Sequence, residues 1–315
     1  MKLSIIIPVY NVAPFISRCL DSCIAQDLPK DDYEIICVDD GCTDDSVLVI
    51  NRYATNHNNI LLLHQQNAGQ SAARNYGVTV AKGDYIWFVD GDDWIEPNVL
   101  KIITEQAYRE ELDSLCFTFQ FAYENGAKSD GGLGMLSFSE AINGRDFISK
   151  YTMPAGPWCA IHRRDFLVGN NIHFIEGIRR EDEDYTTRAY CSAERISYVN
   201  IVAYNYYQRA GSTMKSQQSV KTAADLLKVA DSLYDFAQHL KNTHQKAYWA
   251  VLNRVSFAVS QSLAYCEGGV INLDQYRTKP FYPLSINPLL SFKNKWKYRL
   301  INLSLGLYLK VYHMI

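Results

Sequence analysis

In residues 83–94, GDYIWFVDGDDW, an apolar run stops at three carboxylates spread over four positions. Asp84 to Val89 has the length and near-continuous apolar character of a strand buried on both faces. Carboxylates this close repel one another, and one tends to take up a proton unless a cation compensates. Hard cations prefer oxygen ligands and often share them with a substrate phosphate. Asp90, Asp92 and Asp93 are therefore expected to hold Mn2+ or Mg2+. Asp90 and Asp92 are two apart and face the same way in an extended segment, while Asp93 can instead accept hydrogen bonds from the following turn. The alternative is an acidic turn ahead of a helix that starts at Pro97.

Toward the N-terminus the pattern repeats. Leu3 to Tyr10 (LSIIIPVY) reads as a second doubly buried strand, and Phe15, Ile16, Cys19, Leu20 and Cys23 then recur at helical spacing. Ile35 to Val38 is a strand that ends in Asp39-Asp40-Gly41, and Thr43 or a following aspartate can cap a helix through Val47 and Ile50. Ile60 to Leu63 is a strand, Asn67-Ala68-Gly69 a turn, and Gln70 to Ala81 a helix. Strand–helix alternation of this kind predicts a parallel sheet with right-handed crossovers, whose ligands bind beyond the carboxyl ends of the strands. Tyr10-Asn11, Asp39-Asp40 and Asp90 to Asp93 all fall at such ends. Beyond residue 111 the pattern loosens. Strands are expected at Ser114–Tyr123 and Ile196–Tyr207, and helices at Ser139–Tyr151 and Arg180–Ser192. Two longer helices are expected between Val220 and Cys266, closed by Gly268-Gly269.

The remaining clusters each carry two readings. Asp39-Asp40 beside Gly41 suits hydrogen bonds to a nucleotide base or ribose, or equally an N-capping turn. Arg74, in the helix after Asn67-Ala68-Gly69, offers a fork of donors to a diphosphate or a salt bridge to one of the aspartates. Arg179-Arg180-Glu181-Asp182-Glu183-Asp184 is a solvated first turn with acids favoured by the helix dipole, or it holds a general base.

Bulk properties narrow the class. The chain has 315 residues, 48% of them hydrophobic and 21% charged, which is ordinary for a globular protein. A formal net charge of -3 implies no global attraction to nucleic acid. The eight cysteines have no zinc-site spacing, and Cys19 and Cys23 read as core thiols. A strand starting at Leu3 leaves no room for a signal peptide, and no run of about 18 apolar residues predicts a membrane span. A cytoplasmic, reduced chain is expected.

Taken together, SIIIPVYN at 4–11, VDDGCTDDS at 38–46, NAGQSAARNYG at 67–77, GDYIWFVDGDDW at 83–94 and GIRREDED at 177–184 resemble the family 2 glycosyltransferases. Tyr206-Tyr207-Gln208-Arg209 with Ser212 also fits, so the resemblance covers roughly residues 1–215. It implies the GT-A fold, a Rossmann-like α/β architecture with a mostly parallel sheet flanked by helices, here with a C-terminal helical appendage. Residues 1–110 would be its nucleotide-sugar-binding half, 111–215 its acceptor-binding half, and 216–315 the helical region. The implied reaction is inverting transfer of one hexosyl or N-acetylhexosaminyl unit from a nucleotide-diphosphate sugar to a carbohydrate or lipid-linked acceptor in surface-polysaccharide assembly. Pro8, Tyr10, Asp39, Asp40, Asn67 and Gly69 match nucleotide-contacting positions, and Arg74 an arginine near the nucleotide. Asp90, Gly91 and Asp92 form the DXD motif. Asp182 matches the catalytic base, with Glu181 beside it and the neighbouring acids expected to raise its pKa. Trp158 lies where an aromatic flanks the donor sugar or acceptor, with a core tryptophan as the alternative. Arg209 and Ser212 fall in a loop that closes over the diphosphate. Cys42 departs from the usual serine, and the QxxRW motif of processive synthases is missing.

Rival classes fit less well. A nucleotidyltransferase wants a basic, glycine-rich loop after strand one, where this chain has Tyr10-Asn11-Val12-Ala13-Pro14, and a dehydrogenase wants GxGxxG there. An inactive sugar-nucleotide-binding scaffold would be expected to lose the acidic pair near 182. At the C-terminus, Lys293, Lys295, Lys297 and Arg299 surround Trp296, and Leu300, Leu303, Leu307 and Val311 follow at helical spacing. Such a tail suits peripheral contact through 292–315 with the inner face of the plasma membrane, or packing on the protein's own core.

Overall fold

The computed structural model describes residues 1–131, 140–151, 156–208, 220–265 and 273–312. The chain forms two compact units. The first comprises Met1–Gly144, Met153–Gly177 and Ser192–Ala210, and the second Arg145–Thr152, Ile178–Cys191 and Gly211–Ile315. The junction expected near residue 110 lies inside the first unit, between two parts of one sheet, and residues 178–191 belong to the second.

The first unit begins with β1 (Leu3–Val9), α1 (Ala13–Ile24), β2 (Tyr33–Asp39), α2 (Ser46–Asn56), β3 (Ile60–His64), α3 (Gln70–Val80) and β4 (Tyr85–Phe88). These strands lie parallel in the order β3-β2-β1-β4. Leu3, Ile5, Ile6, Ile7 and Val9 of β1 are all fully buried, as expected for a strand with helices against both faces. The registers pair Val9 with Asp39 and Asp39 with His64, so the carboxyl ends of β1, β2 and β3 stand side by side. Ile6 pairs with Phe88, and Val89 N–H donates to the Ile6 carbonyl, which delivers Asp90 beside Pro8.

The sheet continues through β5 (Trp94–Ile95), α4 (Leu100–Arg109), β6 (Ser114–Tyr123), β7 (Lys128–Asp130), α5 (Gly144–Lys150), β8 (Ala160–Arg163), α6 (Arg164–Gly169) and, beyond α7 (Glu181–Ser192), β9 (Ile196–Gln208). After β4 come β8, β6, β9 and β5, with β7 paired to β6. The pairs β4–β8, β8–β6 and β9–β5 are antiparallel, while β6–β9 is parallel. Register shifts around Thr118 insert extra residues into β9, and such bulges re-aim the side chains that follow. Here they precede Tyr204 to Tyr207.

Two local expectations change. Pro97 does not open a helix. It begins a turn with Asn98 at φ 58°, and α4 starts at Leu100, where the Gln26 side-chain oxygen accepts from the Val99 and Leu100 N–H groups. Asparagine tolerates the left-handed region better than most residues. The expected helix at 139–151 is shorter, at Gly144–Lys150. Gly268-Gly269 lies outside the described residues.

The second unit is helical, with α5 from Arg145 onward, α7, α8 (Val220–Gln238), α9 (Gln245–Ala264), α10 (Asp274–Arg277), α11 (Phe292–Leu303) and α12 (Leu305–Tyr312). Leu226, Val229 and Leu233 of α8 are buried, as are Val251, Val255 and Leu263 of α9. Ser262 ties α9 to the Ala223 carbonyl and to the Tyr276 hydroxyl. No described helix is long and apolar enough to cross a membrane.

Gly77 shows how closely α3 sits on the sheet, because a Cβ there would lie 2.4 Å from Ile6 Cγ2. Gly77→Ala is expected to destabilise the protein by about 1–3 kcal/mol, read from urea unfolding midpoints. A stability equal to wild type would show that α3 does not pack this tightly on β1.

Candidate active site

Every polar segment expected at the strand ends of the first unit is found there, but the side chains divide into those facing outward and those holding the loops. Tyr10 is half exposed directly after β1, and Asn11 follows at φ 53°. Asn11 Oδ1 accepts from the Thr43 N–H at 2.8 Å, joining the β1 and β2 loops. Cys42, which departs from the usual serine, joins the same two loops. Its thiol donates to the Val9 carbonyl and accepts from Asn11 N–H, each at 3.4 Å. Burial is the main cause pushing that thiol up to about 11, so it stays protonated near neutrality. Gly41 is required where it stands, at φ 75° with Asn67 N only 3.1 Å from the site of a Cβ.

Asp39 and Asp40 are both buried. Asp39 accepts from Cys42 N–H at 2.8 Å and pairs with His64 Nδ1 at 2.9 Å. Asp40 accepts from Gln65 Nε2 and Ala68 N–H through one oxygen, and from Gly69 N–H through the other. Asn67 Nδ2 closes the arrangement by donating to the Asp40 carbonyl. The pair expected to contact a base or ribose thus spends its oxygens on the turns around it. Asn67 remains exposed, and Gly69 at φ 92° starts α3.

The Asp90-Gly91-Asp92-Asp93 turn is held from several sides. Arg74, 2% exposed, donates to Asp90 Oδ1 at 2.7 Å, so its salt-bridge reading is the one observed. Gly91 is pressed against β1, where a Cβ would lie 3.4 Å from the Pro8 carbonyl and 3.1 Å from Val12 Cγ2. Asp93, expected among the metal ligands, is turned inward, in line with the reading that it accepts hydrogen bonds. It is 1% exposed, and its two oxygens accept from the Tyr204 hydroxyl at 2.6 Å and from Tyr207 N–H at 2.7 Å. Burial, reinforced by the Asp92 and Asp90 charges, raises its pKa.

Two residues that the sequence reading missed complete the clamp. Tyr204 accepts from the Asp90 N–H at 3.2 Å while donating to Asp93. Arg18 of α1 lies over the rings of Trp94 and Tyr207, 3.8 and 4.3 Å from their centroids, and donates to the Asp92 carbonyl at 2.9 Å. An arginine inside an amphipathic helix pattern gives no hint of this in the sequence. Trp158 is also corrected toward its core reading. It is 8% exposed and stacks on Tyr204, with centroids 4.6 Å apart and planes 6° from parallel.

Asp90 and Asp92 are the half-buried carboxylates of the turn. Among the described residues no three His, Cys, Asp or Glu side chains gather into a cage for a metal. A divalent cation held by one or two carboxylates needs no such cage when phosphate oxygens and water complete its shell. The donor set therefore fits a cation shared with a diphosphate.

In the second unit, α7 opens with Glu181-Asp182-Glu183-Asp184, after Arg180 at φ 64°. Glu183 pairs with Arg180 at 2.9 Å and Asp184 with Arg188 at 2.5 Å, and Ser232 also donates to Asp184. Glu181 is buried, and half-buried Asp182 accepts from Glu183 N–H at 3.0 Å. Burial works to lower the Arg180 pKa, but Asp182 and Glu183 outweigh it and raise it. Arg180 thus lies near enough to Asp182 to feel its charge. Arg209 and Ser212 lie outside the described residues.

A doubly wound parallel sheet extended by antiparallel strands, with an acidic turn at the end of β4, is the GT-A arrangement of nucleotide-sugar transferases. The sequence profile described as "Glycosyl transferase family 2" matches residues 4–167, and the chain belongs to that family. It is 34% identical over 212 residues to the uncharacterized glycosyltransferase YibD of Escherichia coli (strain K12), covering 65% of this chain and 61% of YibD. It is 30% identical over 245 residues to the glycosyltransferase GlyG of Streptococcus pneumoniae serotype 4, covering 72% of this chain and 77% of GlyG. The crystal structure of Staphylococcus aureus TarS residues 1–349 in complex with UDP-GlcNAc superposes with a TM-score of 0.63 at 23% identity, covering 95% of this chain and 80% of that one. The chain thus spans about three fifths of the length of YibD.

Tyr204→Phe keeps the ring that stacks on Trp158 but removes one of the two donors to Asp93, leaving the Tyr207 N–H. It is expected to cost about 1–3 kcal/mol of stability and to weaken nucleotide-sugar binding, read by thermal melts and calorimetry. A variant matching wild type in both would remove Tyr204 from the clamp. For Asp39, burial acts to raise the pKa, but the donors from Cys42 and His64 outweigh it and hold the carboxyl below 3.8. The fold therefore favours the ionised form, so this stabilisation is full above pH 3.8 and fades as the pH falls through the lower folded value. Asp39→Asn is expected to melt lower near neutrality yet lose less on acidification. Parallel melting curves for the two proteins would refute the assignment.

Proposed function

We propose that this protein transfers one sugar, with inversion, from a nucleotide-diphosphate sugar to an acceptor hydroxyl in surface-polysaccharide assembly. The carrying observation is the Asp90-Gly91-Asp92 turn, fixed by Arg74, Tyr204 and Arg18 at the carboxyl end of the parallel sheet. Exposed Tyr10 and Asn67 lie on the loops after β1 and β3 and are the proposed contacts to the nucleoside, with Pro8 and Gly69 shaping the backbone there. Asp39 and Asp40 contribute by fixing those loops. UDP is the favoured nucleotide and a hexose or N-acetylhexosamine the favoured sugar. The UDP-GlcNAc complex of TarS supports both choices, as does a 31% identity over 219 residues to this poly(ribitol-phosphate) beta-N-acetylglucosaminyltransferase, of which this chain covers 37%. The acceptor is a carbohydrate or lipid-linked hydroxyl.

In the proposed reaction Asp182 takes the proton from the acceptor hydroxyl. The oxygen bonds to the anomeric carbon as the bond to the diphosphate breaks, releasing nucleoside diphosphate. Arg180 is the cation next to the proposed base, and the Asp182 charge acts on it. A divalent cation, Mn2+ or Mg2+, bound at Asp90 and Asp92 would supply electrostatic stabilisation of the departing diphosphate. Buried Glu181 supports the first turn of α7 beside the base.

Asp182→Asn is expected to lower kcat by roughly 10²–10⁴-fold while leaving UDP affinity intact. Asp92→Ala is expected to weaken UDP binding and to abolish the extra thermal stabilisation that UDP gives with Mn2+ over UDP with chelator. Wild-type turnover in Asp182→Asn would eliminate the base, and UDP binding indifferent to both Mn2+ and Asp92→Ala would eliminate the cation site.

A further inference from the structure

The C-terminal helices of the second unit resolve into one packed face and one bare face. Tyr298, Ile301, Leu305 and Tyr308 are buried, and Tyr282 donates to the carbonyls of Ile301 and Asn302. Lys297 also turns inward, donating from Nζ to Ser260 Oγ of α9 at 2.9 Å. The core-packing reading of the tail therefore holds for this face.

The opposite face has no such cover. Phe292, Trp296, Arg299 and Leu303 recur at intervals of four, three and four residues, which places them in one row along α11. Phe292 and Leu303, at 76% and 77%, are the most exposed large apolar side chains among the described residues, and Trp296 is 57% exposed. After a break at Ser304, Leu307 and Val311 are exposed on α12. Exposed apolar groups in such a row are unusual on a solvated surface.

Charge indicates what covers them. Residues 275–315 hold seven of the chain's 31 lysines and arginines and none of its 34 aspartates and glutamates. Lys293 is exposed beside the row and Arg299 within it, and the Arg299 guanidinium lies 5.7 Å from the centroid of the Trp296 ring. An acidic chain with one wholly basic end, carrying tryptophan and phenylalanine at its exposed surface, matches an anionic bilayer interface. There aromatic rings sit at headgroup depth and cations meet phosphate.

The geometry points to α11 and α12 as an interfacial anchor, laying Phe292, Trp296, Leu303, Leu307 and Val311 into an anionic phospholipid surface, with Lys293, Lys295 and Arg299 on the headgroups. This goes beyond the transfer reaction and does not rest on it.

The test is co-sedimentation of the full chain with phosphatidylcholine vesicles, either pure or containing about a third phosphatidylglycerol. Wild type is expected to pellet with the anionic vesicles and not with the neutral ones. Phe292→Ser/Trp296→Ser/Leu303→Ser should lower the partition coefficient more than about tenfold. Lys293→Gln/Lys295→Gln/Arg299→Gln should lower it roughly fivefold per charge. Melting curves of both variants should match wild type, because the exposed side chains do not hold the fold. Failure to bind anionic vesicles, equal binding to neutral ones, or variants that bind like wild type would each overturn the proposal. So would a concentration-dependent dimer in ultracentrifugation that the serine variant abolishes, since that assigns the face to a second copy. No donor sugar enters the measurement, so its failure and that of the transfer reaction are separable.

Discussion

Three carboxylates within four residues at the mouth of a buried strand cannot all stand ionised side by side without compensation. The structure meets this constraint residue by residue. Asp90 is given the Arg74 guanidinium, which is itself buried and so interacts strongly. Asp93 is turned inward onto a hydroxyl and a backbone N–H. Asp92 is left at the turn, with its carbonyl held by Arg18. The cost of the cluster is thereby eased at Asp90 and Asp93.

The same constraint explains the far strand of the sheet. Asp93 needs donors, and β9 supplies them only because its bulges bring Tyr204 and Tyr207 opposite the turn. Tyr204 is in turn braced by Trp158, stacked flat on its ring, and Trp158 by Phe119 edge-on. A chain of aromatic contacts thus runs from β6 to the acidic turn. It makes the position of Asp92 depend on residues more than a hundred positions later in sequence.

The acids of α7 obey a parallel rule within the second unit. Four in a row at a helix N-terminus gain from the helix dipole, yet still need cations nearby. Arg180, Arg188 and Arg254 provide them for Glu183 and Asp184. Asp182 accepts from the Glu183 N–H, and its charge, with that of Glu183, raises the Arg180 pKa against the effect of burial.

Much of the fold was legible in the residues because its signals are local. The apolar runs of β1, β2 and β4, the helical spacing of α1 and α3, and the acidic turn after β4 follow from periodicity and chain chemistry alone. So did the convergence of those loops on one sheet edge, since a parallel sheet with right-handed crossovers allows no other arrangement. What the residues left open was the direction each polar side chain takes. Asp39, Asp40 and Asp93 read as site ligands and are found accepting from N–H and hydroxyl donors, and Trp158, read as flanking the sugar or as a core residue, is found stacked on Tyr204. Arg18 and Tyr204 gave no signal, because their partners lie 74 and 111 residues away in sequence. Whether a carboxylate faces a ligand or a neighbour depends on which donors the folded chain brings within about 3 Å. That proximity is created by tertiary packing and is not encoded in any local stretch.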